Sequence, residues 1–371
     1  MPAISIEKNV DQNEVLGNRV LFPDILRILA IFAVILAHIS AAGFVYYPVS
    51  YFGWHVSNIY GCLARWSIPL FVMISGMFFL NPQKKISLSK LYCKNTLRLV
   101  VALIFWGVLY RSISIVKMIV YDKVDLWTVV EKMANEYSKL IFGPIWYHLW
   151  FLYMIIGLYI LVPLLRVFTQ NATKEHYYYL FLIYMLFGSA LPLVNESLVF
   201  VDSPLDINFK IVELMGYSCF FILGYYLSKY DITDKIKKWI YVISIVSFFI
   251  QVFATSFISS KVGIAQQFLY EASRPNVVIQ AVAIFLFVKD LPLKINFSDR
   301  SKTIIGTVSK YSFGMYLVHD FFNLFFTKIG FTVMCMNPVV SILLRTIVTF
   351  ILSFVVVWIL DKIPLIRKYC I

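Results

Sequence analysis

Residues 22–44 read FPDILRILAIFAVILAHISAAGF, an apolar run carrying three ionisable side chains, Asp24, Arg27 and His38. A stretch of about 20 mostly apolar residues is what a helix needs to cross a bilayer. At about 100° per residue, Asp24 and Arg27 lie some 60° apart and Arg27 to His38 is about three full turns, so the three share one face. A charge near the bilayer centre costs on the order of 3 kcal/mol and persists where it faces a cavity or a partner. This helix is therefore expected to turn one ionisable stripe inward. With a rise of about 1.5 Å per residue, Asp24 and Arg27 sit near its beginning and His38 roughly 16 Å further along.

The rest of the chain repeats the pattern. Of its 371 residues, 60% are hydrophobic and the mean hydropathy is +0.79, above the roughly 45–50% apolar content of a soluble domain. Apolar runs fall near 22–44, 57–80, 95–118, 147–165, 177–195, 210–228, 239–258, 276–290, 308–328 and 338–361. They predict an all-α polytopic membrane bundle of about ten helices. Short polar connections leave a cytoplasmic tail over 1–20, one transmembrane domain over 21–371, and no room for a soluble catalytic module.

The formal charge of +13 is distributed in alternate segments. Lys84, Lys85, Lys90, Lys94 and Arg98 form one group; Arg166 and Lys174 a second; Lys229, Lys235, Lys237 and Lys238 a third; Lys289, Lys294, Arg300 and Lys302 a fourth; Lys362, Arg367 and Lys368 the last. Segments 45–56 and 196–209 carry almost none. By the positive-inside rule the charged set is cytoplasmic and both termini are inside; a ten-helix chain without a targeting segment is expected at a bacterial inner membrane. The charge is then topology, and nucleic acid is not an expected partner. Segment 119–146, assigned outside, holds Lys123, Lys132 and Lys139 among acidic residues. Its pattern of Leu126, Trp127, Val130, Met133, Tyr137 and Leu140 predicts a surface amphipathic helix. Trp146, Tyr147, Trp150, Tyr225 and Tyr226 fall where an aromatic belt is expected.

Other ionisable residues inside the spans are Arg65 in the second, Glu213 in the sixth, His319 and Asp320 in the ninth and Arg345 in the tenth. Arg65 falls about 12 Å below the outer surface, near the level of His38, so the two can meet. Glu213 and Arg345 are read as structural ion pairing. The five cysteines lack paired metal-ligand spacing, and no metal is expected. No glycine-rich phosphate loop, dinucleotide fingerprint or His-Glu-x-x-His motif occurs. Gly216-Tyr217-Ser218-Cys219-Phe220 misses the nucleophile elbow at its last position. Chemistry must then use the intramembrane set.

Four landmarks carry a resemblance. They are Arg27 and, eleven positions on, His38; Arg65-x-x-x-Pro69-x-Phe71-x-x-x-Ser75-Gly76; Tyr147-His148-Leu149-Trp150-Phe151-Leu152 leading to Tyr159 and Pro163; and Ser309-x-x-Ser312-x-Gly314-x-Tyr316-x-x-His319. In this order the chain resembles the acyltransferase-3 family of bacterial membrane O-acyltransferases, most closely the branch that O-acetylates sugars of enterobacterial common antigen. Many members carry an Arg-x-x-Arg pair at the inner end of the third helix; here Arg98 matches, Asn95 stands at the partner position and Lys94 lies beside it.

The resemblance implies transfer of an acyl group, usually acetyl from cytoplasmic acetyl-CoA, to a sugar hydroxyl of an envelope glycan or its lipid-linked precursor. No cofactor is permanently bound on this reading; the partners are acyl-CoA, the glycan and membrane lipid. Arg27, Lys94 and Arg98 would form a cationic donor mouth, since guanidinium suits phosphate. His38 would act as general base, either by direct transfer or through an acyl-histidine. Arg65 would orient the acceptor or stabilise the oxyanion. His148 and Trp150 stand near the outer end of the fourth helix, where His148 either touches the acceptor or belongs to the interfacial belt. His319 with Asp320 either lines the cavity or packs as a satisfied pair, and Ser75-Gly76 is expected to let helices approach closely. The alternative from another class is a transporter or flippase with His38 as proton relay, for which internal repeats and matched broken helices are expected and not seen.

Overall fold

The computed structural model describes residues 21–120, 125–142, 146–198 and 211–371. The tail 1–20, most of segment 196–209, Lys123 and the side chains of Lys139 and Glu213 lie outside the described residues. In chain order the α-helices are α1 Phe22–Tyr46, α2 Phe52–Ala64, α3 Ser67–Phe79, α4 Leu88–Lys90, α5 Leu97–Val120, α6 Leu126–Phe142, α7 Trp150–Asn171 and α8 Lys174–Ile183. They continue as α9 Leu191–Leu198, α10 Ile211–Lys229, α11 Asp234–Val262, α12 Pro275–Lys294, α13 Asp299–Lys328, α14 Pro338–Leu360 and α15 Pro364–Tyr369. No strand occurs among the described residues.

Among the described residues each of the ten expected spans is helical, the second with a break at Arg65 and Trp66. Eight stretches are long and apolar enough to cross a membrane: Phe22–Tyr46, Phe52–Phe79, Leu88–Ile113, Tyr147–Asn171, Lys174–Ser197, Asp234–Val262, Phe268–Lys294 and Pro338–Leu360. The other two are α10 and α13. α10 is broken at Gly216, whose φ of 35° lies in the region that glycine alone adopts readily. α13 buries Ser309, Ser312, His319 and Asp320 while packing against α1 and α14. A helix shielded from lipid by its neighbours does not need an apolar surface all round.

The second span, continuous in sequence, is two helices joined at Arg65 and Trp66. Proline has no amide hydrogen, so Pro69 cannot bond to the carbonyl of Arg65, and the helix resets there. The Arg65 amide still reaches the Cys62 carbonyl at 3.5 Å, and Arg65 acquires a position on a bend rather than mid-helix. Beyond the bend, α3 meets α10 backbone to backbone. A Cβ on Gly76 would collide with the Phe221 carbonyl, and one on Gly224 with the Met73 carbonyl. Of the expected Ser75-Gly76 contact it is the glycine that makes the approach; Ser75 lines a cavity.

The basic segments gather at one end of the bundle. Arg166 at the end of α7 donates to the carbonyls of Phe79, Asn81 and Lys84 at 2.9, 2.9 and 2.8 Å, pinning the loop after α3. Lys237 meets Asp290 at 2.5 Å, Lys289 meets Asp231 at 2.9 Å and Lys310 meets Asp361 at 2.8 Å. The positive-inside rule assigns this end to the cytoplasm. At the opposite end Tyr60 donates to the Val339 carbonyl at 3.0 Å, and Arg274 pairs with Glu196. Tyr225 and Tyr226, expected in the aromatic belt, are buried. The Tyr226 ring lies 5.3 Å from Tyr177 and 4.9 Å from Tyr230.

Candidate active site

α1 buries Leu26, Ala30, Ile31, Val34 and Ile35 against the bundle, which keeps its ionisable face among protein. At the basic end Asp24 accepts from Arg27 at 3.1 Å and from the Ser309 hydroxyl of α13 at 2.6 Å. The pair aims the Arg27 guanidinium along the wall of a cavity of about 370 Å³. Its other polar walls are Ser75, Asn95, Arg98, Tyr159, Ser309, Lys310 and Ser312; its apolar walls are largely aromatic, and Tyr316 closes it. A second hollow of about 420 Å³ shares Phe78, Phe79 and Asn95 with it and adds Lys84, Lys85 and Lys90. Together they make a cationic funnel from the basic end toward the bundle centre.

A π-helical turn, Leu91–Thr96, feeds α5. Such a turn carries one residue more than an α turn and so shifts the face on which its residues fall. Asn95 and Arg98 line the cavity, whereas Lys94 is exposed and outside its lining. Arg98 also donates to the carbonyl of Ile371, and the indole of Trp106 donates to that of Cys370 at 2.8 Å. The segment after α15 therefore packs along α5.

Above the cavity lies a cluster of rings. The His38 ring centroid is 5.1 Å from that of His319, 6.3 Å from His148 and 5.3 Å from Tyr147. His148 and His319 are 5.0 Å apart and both almost fully buried. Tyr316 joins cavity to cluster: its ring lies 5.6 Å from His148 and 5.9 Å from His319, and its hydroxyl donates to the His148 carbonyl. The ring Nδ1 of His319 is 2.6 Å from the Tyr316 carbonyl. A carbonyl only accepts, so Nδ1 holds the proton. In the neutral ring Nε2, buried and without a partner, presents its lone pair.

Asp320, 1% exposed, ties the outer side of this cluster. It accepts from the Trp146 indole at 2.6 Å and from the Tyr147 hydroxyl, while His148 Nδ1 stays 3.8 Å away, beyond hydrogen-bond reach. Two neutral donors thus hold a buried carboxylate, and in return it fixes the short turn that carries His148. Tyr147, half exposed, walls the cluster on its open side. Trp150, by contrast, faces away, its ring 5.9 Å from Tyr217 of α10.

Arg65 is close enough to His38 for its charge to be felt there. Its guanidinium carbon lies 3.8 Å from the centre of the Tyr270 ring. The Tyr270 hydroxyl donates to Asn58 Oδ1 at 2.6 Å, and Asn58 donates to the Val252 carbonyl at 3.0 Å. A connection on the outer side, Phe268–Tyr270, therefore folds inward to support Arg65. Arg345 meets Asn323 at 2.9 Å; the side chain of Glu213, expected with it in structural ion pairing, lies outside the described residues.

The structure thus brings His38, His148 and His319 together, with Arg65 nearby and Arg27 and Arg98 below, and leaves Lys94 and Trp150 apart. Sequence reasoning gave Tyr316 no role beyond its place in a landmark and gave Trp146 and Tyr147 only the aromatic belt, although all stand beside or within the landmarks. It flagged Asp320 only as a companion of His319. Tyr270 carried no signal: a tyrosine in a connecting segment reveals its target only once the chain has folded back.

A family model described as an acyltransferase domain matches residues 20–361. No curated protein matches the chain, and no solved structure does.

Proposed function

The chain belongs to the acyltransferase-3 family, and on that premise we propose that it transfers an acyl group, acetyl in the first instance, from cytoplasmic acyl-CoA to a sugar hydroxyl. The acceptor on this reading is an envelope glycan or its lipid-linked precursor at a bacterial inner membrane. One observation carries the proposal: the cationic funnel that starts at the basic end stops at Tyr316, one ring from the histidine cluster that contains His38. A polyanionic thioester cannot enter lipid, and a funnel lined by Arg27, Arg98, Lys310 and the Lys84, Lys85 and Lys90 group suits its phosphates. The aromatic walls suit the uncharged arm that ends in the thioester.

His38 is the base. It takes the proton as the acceptor oxygen attacks the thioester carbon. Arg65 stabilises the oxyanion of the tetrahedral intermediate. Collapse breaks the carbon–sulfur bond, and the proton on His38 passes to the departing thiolate, giving ester and free CoA. His148 and His319 shape the pocket around the His38 ring, and Asp320 holds the turn bearing His148.

The test uses membranes carrying matched amounts of wild type or His38→Ala, labelled acetyl-CoA and extracted envelope glycan. Label in the glycan with wild type and its loss with the variant is the expected result. Transfer undiminished by the variant would remove His38 from the chemistry. Absence of wild-type transfer together with glycan flux across the membrane would favour a transporter.

A further inference from the structure

Arg345 is absorbed by none of these roles. It lies on α14 seven residues from the start at Pro338, about 10 Å inward along the axis, and is 2% exposed. Its Nη2 donates to Asn323 Oδ1 at 2.9 Å, and its Nε is buried with no acceptor. Among the described residues no carboxylate is within ion-pair distance of it. A guanidinium has five donors in a planar fork, and withdrawing it from water is costly unless an anion or several acceptors compensate. One amide oxygen does not.

The guanidinium of Arg345 is edged by side chains that are themselves only half-buried, Asn323, Tyr47 and Phe331. Its carbon lies 5.9 Å from the Phe331 ring, and Tyr47 is close enough to feel its charge. Asn323 stands one turn, about 6 Å, beyond His319 on α13. Tyr147, which packs on His38, donates to Asp320 and also lies against Asn323. Arg345 is therefore on the outward side of the cluster, opposite the donor funnel.

We infer that Arg345, with Asn323 and Tyr47 at its edge, binds an oxyanion of the acceptor, a phosphate or a carboxylate, while the acceptor hydroxyl reaches His38. The inference rests on the acyl-transfer reading and narrows its acceptor to an anionic sugar. Planar, bidentate recognition of either group is what a guanidinium does better than an ammonium. A neutral glycan would leave the buried charge uncompensated.

The test measures binding of three probes to the purified full chain in detergent: N-acetylglucosamine 1-phosphate, glucuronic acid and neutral N-acetylglucosamine. Wild type should prefer an anionic probe over the neutral one by about tenfold or more, and the phosphate and carboxylate arms identify the source of the charge. Arg345→Gln should abolish the preference and Arg345→Lys should weaken it. Asn323→Asp keeps Arg345, supplies an internal carboxylate beside it, and should also abolish the preference without disturbing the fold. Equal binding of charged and neutral probes by wild type overturns the inference, as does a preference that survives Asn323→Asp. In transfer assays Arg345→Gln should raise the acceptor KM and leave the donor KM unchanged. An anion preference that depends on Arg345 in a protein that transfers no acyl group and moves glycan across the membrane would uphold the site and refute the acyl-transfer reading.

Discussion

Asp320→Asn removes one negative charge at the point where Trp146 and Tyr147 converge, and its consequence can be worked from the geometry. The carboxylate is 1% exposed and spends one oxygen on each donor. An amide of the same shape can give its oxygen to the Trp146 indole and its NH₂ to the Tyr147 hydroxyl, which then accepts, so both contacts survive but the bond to Tyr147 changes from charge-assisted to neutral. A hydrogen bond to a charged group contributes about 1.5–3 kcal/mol, more than a neutral one. The single variant does not isolate the difference, because replacing a buried carboxylate also relieves its desolvation. A cycle of Asp320→Asn, Tyr147→Phe and the double variant does, since the desolvation change is common to both arms. Unfolding measured in detergent should give a coupling of about 1 kcal/mol, the difference between a bond to a charged group and a neutral one. A coupling below about 0.5 kcal/mol, within the scatter of independent sites, would refute the claim that this carboxylate holds Tyr147. In the transfer assay the double variant should be no worse than the poorer single one, because both weaken the hold on the same ring, 5.3 Å from His38.

Tyr270→Leu removes the face beneath Arg65 and should lower transfer about 5- to 30-fold, a desolvated cation–π contact being worth about 1–2 kcal/mol; Tyr270→Phe keeps the face and should lose less, which initial rates at saturating donor would check. Arg98→Ala should raise the KM for acetyl-CoA, whereas Lys94→Ala, altering an exposed side chain outside the cavity, should leave it unchanged. Gly76→Ala drives a Cβ into the Phe221 carbonyl and should destabilise by about 1–3 kcal/mol; Gly157→Ala, where nothing lies within 4 Å, should not, and thermal denaturation of the two variants compares them. The Lys310 ammonium bonded to Asp361 holds that carboxyl below the usual carboxylate range. A depressed folded-state pKa gives stability that is present above the ordinary value near 4 and is lost as pH falls through the folded one. Melting temperatures at pH 7 and pH 3 should therefore fall less for Asp361→Asn than for wild type.

The architecture was readable because bilayer physics is written locally. A run such as 22–44 must satisfy its backbone within itself, so length and apolarity alone identify a helix, and the alternation of lysine and arginine segments orients it. The same locality put Asp24, Arg27 and His38 on one face, and the Arg65 and His38 levels followed from counting residues. Two helices escape the simple criterion of length and apolarity for reasons that are tertiary: α13 is polar because other helices shield it, and α10 bends at Gly216.

The site itself needed three dimensions. Single-helix periodicity cannot say that His148 and His319, some 170 positions apart, place their rings 5.0 Å from one another, or that Tyr147 leaves the aromatic belt to bond Asp320. Lys94 and Arg98 are equivalent as cations in a list; only the fold shows that Arg98 lines the cavity and Lys94 does not. Arg345 illustrates the division most plainly. Its cost in a membrane is a property of the sequence, since any buried guanidinium must be compensated. Which group compensates it depends on what the fold brings alongside, and among the described residues the fold brings a neutral amide.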